Sequence, residues 1–252
     1  MAYRLFEGKD HAAVYQKDFL YCLSSYIQKG RPHVLAVDVG CGTGQNCRLM
    51  APHFHNVVGI DISECQLEEA KAEPGHPNIT YRRGAAEELP FADASVDLIT
   101  AASAAHWFDQ SRFLDEVSRV LKPRGCVALL GFCDDKTTFH FQDCGQRLNH
   151  IYEEVKQILL PYTSRQVAVA EHKLEELYAV IINNMSELQG GVCSGKSSIT
   201  VKTLVGFMES WSHVPGLQEE NPEMADELLK NTQNRYSHVH MTHYFCVLAS
   251  KP

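Results

Sequence analysis

Asp38, Gly40, Gly42 and Gly44 alternate through Val37-Asp38-Val39-Gly40-Cys41-Gly42-Thr43-Gly44, which directly follows a short apolar run. Glycines in a tight turn between a strand and a helix let a ligand come close to the backbone, so this spacing points to a binding site at the end of a first strand. Asp61 lies about 20 residues beyond the turn and ends a second apolar run, where a carboxylate can accept hydrogen bonds from both hydroxyls of a ribose. The dinucleotide fingerprint Gly-x-Gly-x-x-Gly is not met. Its third glycine falls on Cys47 counting from Gly42 and on Gln45 counting from Gly40, which argues against a nicotinamide or flavin dinucleotide. Farther on, His106 and Trp107 follow a fourth apolar run. An imidazole, with an ordinary pKa of about 6.5, can hydrogen-bond an oxygen or take its proton at neutral pH.

These groups require a sheet to bring them together. Short runs rich in Val, Ile and Leu at Val34 to Val39, Val57 to Asp61, Ile79 to Arg82, Val96 to Ala101 and Cys126 to Phe132 read as strands buried on both faces. The segments between them read as helices, the pattern of βα units feeding a parallel sheet. Ser63-Glu64-Cys65-Gln66 has the form of a capping box, which starts a helix running towards Ala72. Phe113, Val117, Val120 and Leu121 mark one face of another helix, with Lys122-Pro123-Arg124-Gly125 as its stop signal.

From Asp134 to Arg235 the strand alternation disappears. Leu148, Tyr152, Val155, Ile158 and Leu159 recur at helical spacing, and further helices are expected at Lys173 to Ile182, Thr200 to Trp211 and Gln218 to Lys230. Val239 to Ala249 returns to strand character and is expected to close the sheet as an antiparallel edge. The expected organisation is an N-terminal helical lid over residues 1–33, an α/β core over 34–133, a mainly helical cap over 134–235, and a terminal strand within 236–252 that completes the core.

The bulk properties exclude several partners. A formal charge of -8 on 252 residues repels phosphate backbones, which argues against nucleic acid. No apolar run approaches the roughly 20 residues that span a bilayer, and residues 1–10 lack a signal peptide's apolar stretch, so the expected location is the cytoplasm, away from the membrane. Nine cysteines include no Cys-x-x-Cys pair, and 13 histidines include no His-Glu-x-x-His. His238 and His240, or His240 and His243, could chelate a metal, but they read as scattered surface or packing residues, and no metal site is expected. Composition says nothing about oligomeric state.

Asp-x-Gly-x-Gly-x-Gly after the first strand resembles motif I of the class I S-adenosylmethionine-dependent methyltransferases. The resemblance implies a doubly wound, Rossmann-like sheet of seven mostly parallel strands with an antiparallel terminal strand and a helical cap insertion. It also implies S-adenosylmethionine as cofactor and S-adenosylhomocysteine as product. By the family pattern, Gly40, Cys41, Gly42 and Gly44 face the methionine portion with Asp38 near its amino group, Asp61 holds the ribose, and Ile62 covers one adenine face. Gly84-Ala85-Ala86-Glu87-Glu88-Leu89-Pro90-Phe91 is similar to the family's adenine segment, except that Ala85 replaces the usual Asp, which leaves recognition to the backbone around Ala86 and Glu87.

Ala102-Ser103-Ala104-Ala105-His106-Trp107-Phe108-Asp109 and the later Glu209-Ser210-Trp211-Ser212 narrow the likeness to yeast-type trans-aconitate methyltransferases and their relatives. Ser103 would then lie by the cofactor, His106 by the methyl acceptor, with Trp107 and Trp211 walling the acceptor pocket and Tyr15 in the lid. Gln16-Lys17-Asp18-Phe19 departs from the family's Arg-Pro-x-Tyr-Pro stretch after that tyrosine. The expected activity is methyl transfer to a small molecule, with a carboxylate as one acceptor. Two alternatives stay open at this point, a cofactor-binding partner protein without turnover and a nicotinamide-dependent oxidoreductase.

Overall fold

The computed structural model describes residues 33–132, 138–140, 147–162, 192–200, 223 and 238–251. Tyr15, Trp211, the N-terminal lid and the helices expected at Lys173 to Ile182, beyond Thr200 and over Gln218 to Lys230 lie outside the described residues, residue 223 excepted. The described residues divide between two compact units. One holds 33–132, 192–193 and 244–251, and the other holds 138–140, 147–162, 194–200, 223 and 238–243.

In the first unit, β1 (Leu35–Val39), β2 (Asn56–Asp61), β3 (Ile79–Arg83), β4 (Val96–Ala102) and β5 (Leu121–Phe132) pair in parallel in the order β3-β2-β1-β4-β5. β8 (His238–Ser250) joins β5 antiparallel, with Cys126 opposite Ser250 and Phe132 opposite Tyr244. Order reverses on either side of β1, so the carboxyl ends of β1 and β4 flank a switch point where ligands bind in such sheets. Helices α1 (Gln45–Met50), α2 (Glu64–Ala72) and α3 (Gln110–Val120) complete this unit.

Period-two alternation sends side chains to two cores. Val37, Ile60, Ile99, Val127 and Leu129 pack with Phe113, Val117 and Val120 of α3 on one face. Ala36, Val57, Leu98, Ala128 and Leu130 pack with Met50 of α1 and Leu67 of α2 on the other. Each fully buried Phe, Leu or Met contributes about 1.5–3 kcal/mol relative to exposure, so neither face can be left uncovered.

The starts of α2 and α3 are capped by side chains, whereas α1 begins at Gly44 with none. Ser63 Oγ accepts Gln66 N–H at 3.4 Å, and Asp109 Oδ1 accepts Arg112 N–H at 3.3 Å. The end of α3 differs from expectation. The helix stops at Val120, and Leu121 already pairs with Val96 in β5. Lys122 to Gly125 therefore lie within the strand, where the register shifts between Val96 and Leu98, and Arg124 takes a φ of 64°. Lys251 Nζ supplies the stop by donating to the Ser118 and Leu121 carbonyls at 2.6 and 3.0 Å. A terminal lysine from distant sequence thus satisfies carbonyls that the local proline cannot.

The second unit corrects the strandless cap. β6 (Thr138–His140) pairs antiparallel with β8, Phe139 opposite Met241, and β7 (Val192–Thr200) also pairs with β8. Its helix α4 (Arg147–Leu159) follows the expected spacing and buries Val155 and Leu159, although Ile158 is 36% exposed. Thr200 ends β7 rather than beginning a helix. The polar run Cys193-Ser194-Gly195-Lys196-Ser197-Ser198 carries little strand signal of its own, so its conformation depends on the partner strand. Among the described residues the core unit holds six strands where seven were expected, β8 being its antiparallel terminal strand, and β6 pairs with residues 240–242 of β8.

Candidate functional site

The turn after β1 is held from β2. The Gly40 and Cys41 amides both donate to the Ile60 carbonyl, at 2.8 and 3.0 Å, and Gly42 N–H donates to Asp61 Oδ2 at 2.8 Å. The other oxygen, Asp61 Oδ1, accepts Ser63 N–H at 2.9 Å. One carboxylate therefore ties the glycine turn to the start of α2, taking the role that Gln66 has in a full capping box. Each carboxylate oxygen has a second lone pair, so Asp61 keeps acceptor capacity for a ligand. Ile62, next to it, is 71% exposed, an apolar surface at the strand end with nothing to cover it among the described residues.

Gly40 and Gly42 both have left-handed backbones, φ 68° and 54°, but their surroundings differ. A Cβ on Gly40 would come within 2.5 Å of Ala104 Cβ, whereas among the described residues one on Gly42 would meet only Gln66 Oε1, at 3.6 Å. The turn is thus packed against protein at Gly40 and open at Gly42. Cys41 is buried, its thiol directed to the Gly42 carbonyl at 3.7 Å, so only its backbone can face a ligand. Gly44 caps α1 with φ 78°.

Asp38 is fully buried. Thr100 Oγ1 donates to its Oδ1 at 2.6 Å and Cys47 Sγ to its Oδ2 at 3.5 Å. Burial raises its pKa from 3.8 to about 7; the Thr100 and Cys47 bonds oppose the rise, and the charge of Asp61 adds slightly to it. Neither Thr100 nor Cys47 was singled out by its sequence position, since a threonine in an apolar strand and a cysteine in a helix are ordinary packing residues. Because the folded state binds this proton more tightly than the unfolded chain, Asp38 lowers stability as pH rises from about 4 to about 7. In urea titrations, the Asp38→Asn protein is therefore expected to gain on the natural one across that window. A constant difference would remove Asp38 as the cause.

The segment after β3 is drawn in by its apolar members. Ala86 and Leu89 are 5% and 3% exposed and belong to the α3-side core, which leaves only the Ala86 backbone for a ligand. Glu87 points away from any ligand role of its side chain, since Oε1 accepts Asp109 N–H at 2.7 Å. That bond links the segment to the start of α3.

Beyond β4, Ser103 adopts φ 50° and donates its N–H to the Leu130 carbonyl at 2.9 Å. A left-handed non-glycine backbone costs roughly 1–2 kcal/mol, and such outliers concentrate at functional sites. Residues 105–107 form one 3₁₀ turn. Ser103 Oγ and His106 Nδ1 are buried polar atoms with no hydrogen-bond partner among the described residues. Burial lowers the His106 pKa from 6.5 to about 4, so its imidazole is neutral at pH 7. Trp107 is 57% exposed, its ring centroid 5.2 Å from that of His106. Buried polar groups are nearly always paired, and the described residues supply a partner for neither atom.

The family described as "Methyltransferase domain" matches residues 37–129, the stretch that runs from the glycine turn through most of β5. These residues form a class I S-adenosylmethionine-dependent methyltransferase domain. Over 228 residues the chain is 28% identical to a Dictyostelium discoideum protein named as a methyltransferase, covering 88% of this chain and 82% of that one. It is 25% identical over 217 residues to a Saccharomyces cerevisiae protein named as an S-adenosylmethionine-dependent methyltransferase, covering 75% and 73%. The fold is shared with the solved structure of a protein from Anaeromyxobacter dehalogenans described as a type II methyltransferase, at TM-score 0.63 and 21% identity, covering 91% of this chain and 95% of that one.

The cofactor of this methyltransferase domain is S-adenosylmethionine, and the residues present fit it. Asp38 is a buried carboxyl that no cation among the described residues offsets, which suits a ligand carrying an ammonium and a sulfonium. Gly42 leaves the turn open, Asp61 retains acceptors at the end of β2, and Ile62 offers an exposed apolar side chain beside it. No helix among the described residues is long and apolar enough to cross a membrane.

Proposed function

We propose that the protein methylates a carboxylate of a small-molecule acid, held at the end of β4 beside Ser103 and His106. The observation that carries this reading is the pair of buried, unpartnered polar atoms there, Ser103 Oγ and His106 Nδ1. Both groups are neutral at pH 7. A hydroxyl and an Nδ1–H tautomer could each donate to a carboxylate oxygen, orienting it without a cation that would damp its nucleophilicity. When bound, S-adenosylmethionine supplies a methyl on a positively charged sulfur, which leaves with the electron pair of the broken bond. Attack by a carboxylate cancels charge, so a dry surrounding favours it. The depressed His106 pKa reports such desolvation.

A hydroxyl acceptor would need a base. An imidazole with a pKa of about 4 is a weak one at neutral pH, which favours an acceptor that arrives already ionised. The motifs shared with the trans-aconitate group support the same class.

The test is to incubate the protein with methyl-labelled cofactor and a panel of polycarboxylates, thiols and amines, then to treat the products with alkali. Label is expected on polycarboxylates and to be released by alkali as methanol, the behaviour of a methyl ester. Alkali-stable label, or label on thiols or amines, would sink the carboxylate reading. Cofactor binding with no transfer to the panel or to cell extract would support the partner-protein alternative. His106→Ala is expected to lower kcat roughly 10- to 100-fold through lost orientation while cofactor affinity stays within about twofold. The reverse ordering would move His106 to the cofactor side.

A further inference from the structure

The segment between β3 and β4 has few backbone hydrogen bonds of its own. Gly84 N–H reaches the Asp61 carbonyl at 3.1 Å, Phe91 N–H the Leu89 carbonyl at 2.8 Å, and Glu88 N–H the Ala85 carbonyl at a long 3.5 Å. Its end is tied to α3 by the Ala94 and Ser95 amides, which donate to the Arg119 and Val120 carbonyls at 3.0 and 2.9 Å, and its middle, around Leu89 and Phe91, is held by two side chains of α3. Glu116 Oε2 accepts Leu89 N–H at 2.7 Å. Arg119 donates Nη2 to the Leu89 carbonyl at 2.9 Å and Nη1 to the Phe91 carbonyl at 2.8 Å and Asp93 Oδ1 at 2.9 Å. The two also pair with each other in a fork, Nε to Oε1 and Nη2 to Oε2, both at 2.7 Å. The guanidinium beside Glu116 holds its carboxyl below the ordinary range, and the carboxylates hold Arg119 above its own.

Glu116 accepts the N–H of Leu89 while the Arg119 guanidinium donates to its C=O, so the ion pair fixes both peptide groups flanking Leu89 in orientation as well as position. Ala85 presents only a methyl group, Ala86 is buried, and the Glu87 carboxylate is engaged by Asp109. Any discrimination among bases by this segment therefore comes from peptide groups, and peptide groups discriminate only when they are held still.

We propose that Glu116 and Arg119 are positioning residues for base recognition, setting the backbone around Ala86 and Glu87 so that it selects adenine. This rests on the reading that the segment faces the adenine of the cofactor. Neither side chain need touch the ligand. They act through Leu89, three and two residues beyond those peptides.

The test measures affinity for S-adenosylhomocysteine and for its hypoxanthine analogue by calorimetry, in the natural protein, Arg119→Met and Arg119→Lys. The natural protein is expected to prefer the adenine compound. Arg119→Met is expected to shrink that preference by roughly tenfold or more, as loss of charge-assisted bonds implies, mainly by weakening the adenine compound. Arg119→Lys, which keeps charge but loses the fork, should fall between, and it carries the test if Arg119→Met does not fold. An unchanged preference, or equal weakening of both ligands, overturns the positioning role and leaves a purely structural pair. A natural protein that binds S-adenosylhomocysteine without preferring it overturns the adenine reading itself, and one that binds neither compound overturns the cofactor site.

Discussion

Gly40→Ala is expected to destabilise the fold by about 2–5 kcal/mol, the sum of left-handed strain and overpacking, whereas Gly42→Ala should cost only about 1–2 kcal/mol yet abolish most cofactor affinity. At Gly40 the new methyl would come within 2.5 Å of Ala104 Cβ and 3.3 Å of Phe108 Cζ, so β1 and the segment after β4 would have to separate. Those two segments carry Asp38 and His106. At Gly42 the nearest atom is the far end of a flexible glutamine, 3.6 Å away, so the methyl projects into space that a ligand would use. Urea unfolding and calorimetric binding separate the two effects. Equal loss of stability in both variants would mean that Gly42 is packed as tightly as Gly40, and full affinity in Gly42→Ala would place the ligand elsewhere.

Asp61→Ala is expected to weaken S-adenosylmethionine binding by about 1–3 kcal/mol, the range for charge-assisted hydrogen bonds. The carboxylate has two tasks, since it accepts the Gly42 and Ser63 amides and retains lone pairs at the end of β2. Asp61→Asn distinguishes them. It keeps one carbonyl oxygen that can accept the Gly42 amide but loses the charge and the second acceptor. If ribose contact dominates, both variants bind weakly while Asn preserves stability better than Ala. If the residue only braces the turn, Asn should retain most affinity, and the natural protein should bind the 2′-deoxy and natural cofactors alike. Unchanged affinity in Asp61→Ala would remove the residue from the site.

The two predictions describe one construction. β2 reaches the turn after β1 through a carbonyl and a carboxylate, the Ile60 C=O and Asp61. β4 reaches the same region through Thr100 to Asp38 and through Ala104 beneath Gly40. The residues proposed to hold the cofactor and those proposed to face the acceptor are therefore fastened to a shared piece of backbone, which is what an in-line transfer between two ligands needs for orientation.

The sequence by itself determined the local parts. Five strands, the turn of alternating glycines, the acid at the end of β2 and the cap of α2 each follow from short-range pattern, although β3, expected to be buried on both faces, lies half-exposed at the sheet edge. Only the tertiary structure decided what those parts touch. Asp38 meets Thr100 across 62 residues, Leu89 meets Glu116 across 27, and Lys251 ends a helix 130 residues away at Leu121. β6 and β7 became strands in a polar stretch because β8 offered them partners. Even the ionisation of His106 and Asp38 depends on burial, which no spacing of letters encodes. Backbone preference is a property of a few neighbouring residues, whereas desolvation and pairing arise only once distant segments have excluded water together.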